Sequence, residues 1–434
     1  MNSLAVSKRV ALLVGAVLIS CATLLMAQAG SLDPTFGTGG VVTTNFGGEN
    51  NTIANAAAIQ GDGKILVAGS IPNSQGFGEA GVARYNTNGS LDSSFGTGGI
   101  VVTSQPDPLG LFGIAVQSNG EIVVGGAGFL SVNAIRYHTN GSLDTSFGKG
   151  GIASVRPFPP TAFDASTGGL ALQPDGKILV AAGNALVRFL PNGQIDSSFG
   201  TSGVAALAAN ATAIALLSTG KMLVLSGGVN PLAPTSVSLG AITRYNSNGS
   251  LDTSFGVNGQ AAAVGPASGI TLVSGGKFIV ASSAIHAVSA PSGQAPVNSF
   301  GLELTRYNSN GTIDTTFGTS GGVVTPFAGD SDAAAFALAT QSNGDIVAAG
   351  QAGSQPPDGP STFALARYTA NGQLDTTFGT DGTVTTAFDS HTAFVSVLAL
   401  QSDGKIVAVG NDEVISGGGQ TVVDSFALAR YLAQ

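Results

Sequence analysis

Groups able to transfer protons, attack as nucleophiles or bind metals are few in this chain: three histidines, one cysteine and 25 acidic residues among 434. His286 and His391 fall in segments of variable length between otherwise similar stretches, as do Asp330, Asp332, Asp412 and Glu413. His391 paired with a carboxylate would make a general base, because imidazole titrates near neutral pH and an anion orients its ring. Asp330, Asp332 and Asp412 are of the type that binds Ca²⁺ or Mg²⁺, since hard cations take oxygen ligands. The competing reading is that these acids only keep a sparsely charged protein soluble. The six residues are therefore loop candidates, and no catalytic, metal or cofactor-binding residue is assigned.

Stronger chemistries are excluded. No two histidines stand four apart and Cys21 is the single thiol, so zinc-site spacing is missing. There is no Gly-x-Ser-x-Gly elbow at a strand-to-helix turn, no Gly-Lys-Ser/Thr phosphate loop, and no alternating Asp/Asn calcium loop with a distal Glu. Tryptophan is absent.

The frame that must carry these residues is turn-rich. Charged residues make up 9% of the chain and hydrophobic ones 43%, against a usual charged share of roughly 25%. With 64 glycines and so few Glu, Lys and Arg, a bundle of solvent-exposed helices is ruled out. The apolar content equally rules out disorder. An all-β protein remains.

Lys8 and Arg9 precede an apolar run from Val10 to Met26, followed by Ala27-Gln28-Ala29. These are the three parts of an export signal, so residues 1–29 are read as a signal peptide and the mature protein as extracellular or periplasmic. Leu18-Ile19-Ser20-Cys21 resembles a lipoprotein box, so tethering through a lipidated Cys21 is the alternative. Residues Ala22 to Met26 continue the apolar run, which favours cleavage after Ala29. Losing Lys8 and Arg9 leaves 14 basic against 25 acidic residues, a net charge near −11. That charge opposes binding to nucleic acid or an anionic membrane, and no membrane insertion of the mature domain is expected.

Three marks recur seven times in register. The first is Leu/Ile-Asp-x-Ser/Thr-Phe-Gly, with aspartates Asp33, Asp92, Asp144, Asp196, Asp252, Asp314 and Asp375. The second is Arg-Tyr or Arg-Phe, at Arg84, Arg136, Arg188, Arg244, Arg306, Arg367 and Arg430. The third resembles Gln-x-Asp/Asn-Gly-Lys-Ile and begins at Gln60, Gln117, Gln173, Leu217, Val273, Gln341 and Gln401. Each unit of roughly 57 residues reads as four short strands separated by glycine turns. One such sheet cannot bury both faces, so the units must stack. The chain starts with a fourth-strand element and ends with a third strand, two fragments that complete one sheet. The reading is a seven-bladed β-propeller over residues 30–434, built of four-stranded antiparallel blades and closed by the N-terminal strand. It is expected to be monomeric.

Together these marks resemble the delta-60 repeat, a β-propeller repeat of exported bacterial proteins. The resemblance implies a propeller at a bacterial cell surface and no particular reaction. Units four and five depart from it, with Leu217 and Val273 for Gln and Ser282-Ser283 for Gly.

Residues repeated once per blade serve the frame. All six tyrosines and 12 of the 14 basic residues beyond residue 29 belong to the marks. The aspartates are expected to bond backbone N–H groups, and the arginines to pair with those aspartates or with blade-edge carbonyls. Phe77, Phe112, Phe158, Phe163 and Phe327 are expected to fill gaps between blades. Strand parity puts the repeated turns on one face of the disc. The variable connections, 71–80, 230–239, 285–299, 351–361 and 412–424, lie on the other. The expected function is non-enzymatic binding of a protein or glycan at the cell surface through that variable face. The alternative is a lyase or hydrolase using a histidine and carboxylates beside the central channel.

Overall fold

The computed structural model describes residues 28–46, 52–104, 107, 110–157, 168–227, 240–288, 297–327, 333–353, 360–389, 391–416 and 421–434. They form seven four-stranded antiparallel sheets. The one helical element among them is a 3₁₀ turn at Ser274–Gly276. Blade 1 comprises Ile53–Ile59, Ile65–Pro72, Gly78–Tyr85 and Ile100–Thr103 in spatial order. Blades 2 to 6 repeat that order. In blade 7 the fourth strand is the N-terminal Val41–Thr44, paired with Thr421–Tyr431 in the register Val41↔Ala429 to Thr44↔Phe426. The two chain ends therefore close the ring.

First strands touch first strands all the way round: Ile53–Ile59, Gly110–Val116, Gly168–Leu172, Ala211–Leu216, Ala267–Leu272, Ala333–Thr340, Thr392–Leu400, and back to Ile53–Ile59. They form the inner wall of the disc. The second strands read as unbroken apolar runs because neighbouring blades cover both their faces. In Ile65-Leu66-Val67-Ala68, Ile65 and Val67 pack toward Val407 and Val409 of blade 7. Leu66 and Ala68 pack toward Leu111 and Val124 of blade 2. The core is thus seven apolar layers between blades, not one central core. Gly69 shows how tight they are: a Cβ there would lie 1.9 Å from the Ile53 carbonyl oxygen, beside a register shift between Ala54 and Ala56. Blade 5 has Ser282 at the matching place, yet its four strands pair as elsewhere.

The recurring charged residues build one node per blade. Arg188 Nε donates to Asp196 Oδ2 at 2.8 Å, and the guanidinium carbon lies 4.5 Å from the centre of the Phe199 ring. The other oxygen, Asp196 Oδ1, accepts from the Ser198 amide at 3.1 Å and its hydroxyl at 2.6 Å. All seven arginines lie over the mark phenylalanine in this way, at 4.5–4.8 Å. Each also donates through Nη1 to a carbonyl in the next blade's turn, as Arg136 does to Pro191 and Arg306 to Ala370, both at 2.6 Å. Arg430 closes the series on Thr87 of blade 1.

The long second-to-third connections differ from expectation. Strand pairing continues into them, giving Phe278–Val288 with Val297–Tyr307 in blade 5 and Ile406–Ser416 with Thr421–Tyr431 in blade 7. Pairing also extends to Pro72↔Gly78 in blade 1 and Gly353↔Ser361 in blade 6. His286, Asp412 and Glu413 accordingly stand on strands and not in loops. Antiparallel ladders satisfy backbone groups that an open loop would leave to water, so these connections are drawn out as ribbons. The connection 230–239 lies outside the described residues.

Phe77, expected to fill a gap, is 45% exposed, while Phe327 is buried as expected and Phe112 packs beside a core cluster. Phe158 and Phe163 lie outside the described residues.

Arg188 and Asp196 are both about 5% exposed. Asp196→Ala strands a buried guanidinium and is expected to cost about 3–5 kcal/mol, read from denaturant unfolding. An unchanged midpoint would rule the node out as a clamp. Burial acts to raise the pKa of Asp92, but the Ser94 hydroxyl and amide, Lys64 and Arg84 together hold it below the usual carboxylate range. Asp252 and Asp314 are lowered in the same way. A lowered folded-state pKa gives stability that is present above the unfolded value, about 3.9, and is lost as pH falls through the folded one. Thermal stability should therefore hold from pH 6 to 5 and fall steeply below about pH 4.

Candidate functional site

Three of the sequence candidates meet on blade 7. His391 directly precedes the innermost strand Thr392–Leu400, and its amide donates to the Phe388 carbonyl at 3.1 Å. Thr392 stands opposite Glu413, and Ala393 opposite Asp412. His391 Nδ1 thereby comes within 3.0 Å of Asp412 Oδ1. The Asp412 side chain is 8% exposed and the imidazole 26%. A buried carboxylate behind a partly accessible imidazole fixes the orientation of the ring, an arrangement fit for proton transfer. Burial raises the Asp412 pKa, opposed by the charge and hydrogen bond of His391.

Glu413 points to the other side of the strand. Alternation puts residues 406 and 408 toward blade 6 and 407 and 409 toward blade 1. Asn411 follows that alternation: its Oδ1 accepts from the Ala54 amide of blade 1 at 2.8 Å. Glu413 is paired across the ribbon with Asp424. Burial first, then the charges of Asp424 and Asp412, push its pKa up to about 7. Asp424 did not figure among the candidates. Its place opposite Glu413 appears only in the register of the two strands. Like charges directly opposed destabilise a strand pair, so this is a poor place for a merely structural pair.

His286 lies on Phe278–Val288 in blade 5, opposite Ser299, with blade 6 between it and blade 7. Asp330 and Asp332 lie outside the described residues. The proposed grouping of Asp330, Asp332 and Asp412 around a cation therefore has one described member.

One metal-capable trio stands among the described residues: Glu121, His138 and Asp144 of blade 2. Five blades place a lysine beside the node aspartate, as in Lys221–Asp252 and Lys277–Asp314 at 2.7 Å. Blade 2 has Glu121 at that position, and His138 spans the two carboxylates, 3.1 Å from Glu121 and 3.9 Å from Asp144. The imidazole itself fills the gap. Asp144 is already engaged by Arg136 and Ser146, so the trio reads as a substitute for the lysine bridge. A groove of about 520 Å³ between blades 7 and 1 is lined by repeat residues such as Asp62, Thr87, Asp403, Lys405 and Arg430, and belongs to the frame.

Residues 60–95, 117–147, 173–199, 235–255, 298–317 and 341–378 match the family described as "Domain of unknown function (DUF5122) beta-propeller". The chain is a β-propeller repeat protein. Among solved structures it is similar to selenomethionine-substituted virginiamycin B lyase from Staphylococcus aureus, at 12% identity and a TM-score of 0.51. That match covers 90% of this chain and 98% of the lyase. A catalytically inactive variant of the same lyase with quinupristin matches at 13% identity, with the same coverage and TM-score. At this identity the likeness concerns the fold. A comparison with curated proteins returns no match.

A carboxyl whose pKa is raised on folding holds its proton more tightly in the native state. Glu413 is then neutral in its effect below about pH 4.3 and increasingly destabilising as pH rises toward 7. Glu413→Gln should stabilise the protein by roughly 1–2 kcal/mol at pH 8 and change nothing at pH 4.5, measured by thermal unfolding at both values. Equal effects at the two pH values would exclude a buried titrating carboxyl.

Proposed function

We propose that the protein is an exported, non-enzymatic β-propeller of the delta-60 type that binds a protein or glycan through the face bearing its long ribbons. One observation carries this reading: the two faces are built differently. The turns joining first to second and third to fourth strands repeat in every blade and are absorbed into the arginine nodes. The opposite face carries ribbons of unequal length. Their tips hold exposed aromatics, Phe77 at 45% and Phe129 at 59%. The blade 2 tip is held in shape, because Asp107 accepts from the Phe129 and Leu130 amides at 3.0 and 3.1 Å and from the Ser131 hydroxyl at 2.6 Å. Rigidly held aromatic side chains lose little entropy on binding and supply contact area. Export rests on the cationic and apolar N-terminal sequence.

A specific observation favours a second reading, a lyase or hydrolase. His391 directly precedes an innermost strand and is paired there with the buried Asp412. Two similar solved structures are of a lyase, which at this identity is analogy of fold alone.

One set of variants separates the two. Phe77→Ser with Phe129→Ser should reduce retention on surface-protein or glycan arrays at least tenfold while leaving the melting temperature within a degree or two. His391→Ala should leave retention intact. Turnover of a lactone, ester or polysaccharide substrate that vanishes in His391→Ala, with retention untouched by the double variant, would replace the binding reading by the enzymatic one.

A further inference from the structure

The junction of the two chain ends bears on how the chain is processed. In blade 1 the third strand turns through Asn86-Thr87-Asn88-Gly89-Ser90. The Asn86 amide donates to the Ser90 carbonyl at 2.8 Å and the Gly89 amide to the Asn86 carbonyl at 2.9 Å. The Asn88 carbonyl faces outward and accepts from Gly37 of the preceding blade at 2.8 Å. Five more junctions repeat this last bond: Gly96 to Asn140, Gly148 to Asn192, Gly200 to Asn248, Gly256 to Asn310 and Gly318 to Asn371.

Blade 7 builds the same turn from both ends of the polypeptide. The Leu432 amide donates to the Ser31 carbonyl at 2.9 Å, and the Gly30 amide to the Leu432 carbonyl at 2.8 Å. The Ala29 carbonyl then accepts from Gly379 of blade 6 at 2.7 Å, in the place Asn88 holds in blade 1. Gly30 has φ 82°, as Gly89 has φ 86°. A Cβ on either would meet the amide nitrogen of the preceding blade's glycine, 2.7 Å from Gly379 and 2.9 Å from Gly37. Leu432-Ala433 thus continues into Ala29-Gly30-Ser31, and the break in the ring falls between Ala433 and Ala29. Ala29 is 8% exposed and packs with Phe378 and Phe388. The Gln28 carbonyl accepts from the Ser31 amide at 3.0 Å, and its side-chain amide donates to the Gly379 carbonyl.

We propose that the folded propeller retains Gln28 and Ala29, so that the apolar leader is removed no later than the Ala27–Gln28 bond and not after Ala29. The inference rests on the leader reading for its cleavage step and on the turn geometry for its position. Cleavage is hydrolysis: the peptide C–N bond breaks, water gives its hydroxyl to the Ala27 carbonyl carbon, and its proton goes to the Gln28 amine. At that bond Ala27 supplies the small last residue of an Ala-x-Ala-like site, with Leu25 in place of its other small residue. A cut after Ala29 would instead take the acceptor from the Gly379 and Ser31 amides, uncover part of the blade 6–7 core and place an ammonium group at Gly30.

Two measurements test this. N-terminal sequencing and intact mass of the exported full-length product should find Gln28 or an earlier residue first. Purified chains starting at Gln28 and at Gly30 are then compared by thermal unfolding and amide exchange. The chain starting at Gly30 should melt a few degrees lower, and its Gly379 amide should exchange at least tenfold faster. Gly318, whose acceptor Asn371 lies in an unbroken turn, should exchange at the same rate in both. A mature product beginning at Gly30, or equal Gly379 exchange in the two chains, would overturn the proposal. A product that still carries Met1 would refute the leader itself, while the exchange comparison still decides whether Ala29 is part of the ring.

Discussion

Each blade is tied to the next by one guanidinium doing three things. Within its blade the arginine pairs with an aspartate eight residues on, or across the chain break in blade 7, where Arg430 pairs with Asp33. Its flat face rests on the phenylalanine of the same mark. Its Nη1 reaches a carbonyl of the following blade, while Nη2 stays within the blade on a hydroxyl of the mark, as Arg306 does on Thr316. Only arginine offers a planar, permanently charged fork that can stack and donate in several directions at once; lysine could not replace it. Burying such a charge is costly unless every contact is made, so the angle between blades is set wherever all three are satisfied together. Seven satisfied nodes leave no junction over, which is what closing the ring requires.

This constraint explains the asymmetry of the disc. The face carrying the nodes must repeat, because a changed turn length would move the carbonyl that the neighbouring arginine needs. Blade 2 substitutes His138, which bridges Glu121 and Asp144, for the lysine of five other blades, and blade 6, with Asp345 there, keeps its node through Arg367 and Asp375. The opposite face bears no such obligation. Ribbons there lengthen from the tight return at Gly183-Asn184 in blade 3 to the eleven-residue arms of blades 5 and 7 without disturbing the frame.

Much of this was legible in the sequence because repetition multiplies weak signals. One Asp-x-Ser-Phe-Gly says little, but seven in register with seven Arg-Tyr pairs reveal blade number, strand parity and the two fragments that complete blade 7. What repetition could not reveal are features that occur once. The ribbon arms look like loops, since Asn411-Asp412-Glu413 is polar and Gly417-Gly418-Gly419 reads as a turn. Their pairing depends on cross-strand partners that only a register discloses, and Glu413 opposite Asp424 is such a case. The arginines' bonds to blade-edge carbonyls are expected from the sequence, but which carbonyl each takes, 55 to 66 residues on in blades 1 to 6, leaves no trace in residue type.

The acid ribbon sits on the blade whose closure is non-covalent, and this placement has a physical logic. Blade 7 is held at its outer edge by four residue pairs from the N-terminal strand and at the node by Arg430 and Asp33. Those contacts cluster around the outer edge and the turn face, whereas His391, Asp412, Glu413 and Asp424 lie toward the ribbon end of the same sheet. Opposed carboxylates there lower local stability, which a domain tolerates when a distant, cooperative frame holds the sheet in place. Frame and ribbon thus divide one blade: one end collects favourable ion pairs that secure the ring, and the other accepts an unfavourable charge arrangement. A cost of that kind is tolerated where it does not load the closure of the ring, and here it is confined to the ribbon end of blade 7, away from the repeated turns that hold the chain ends together.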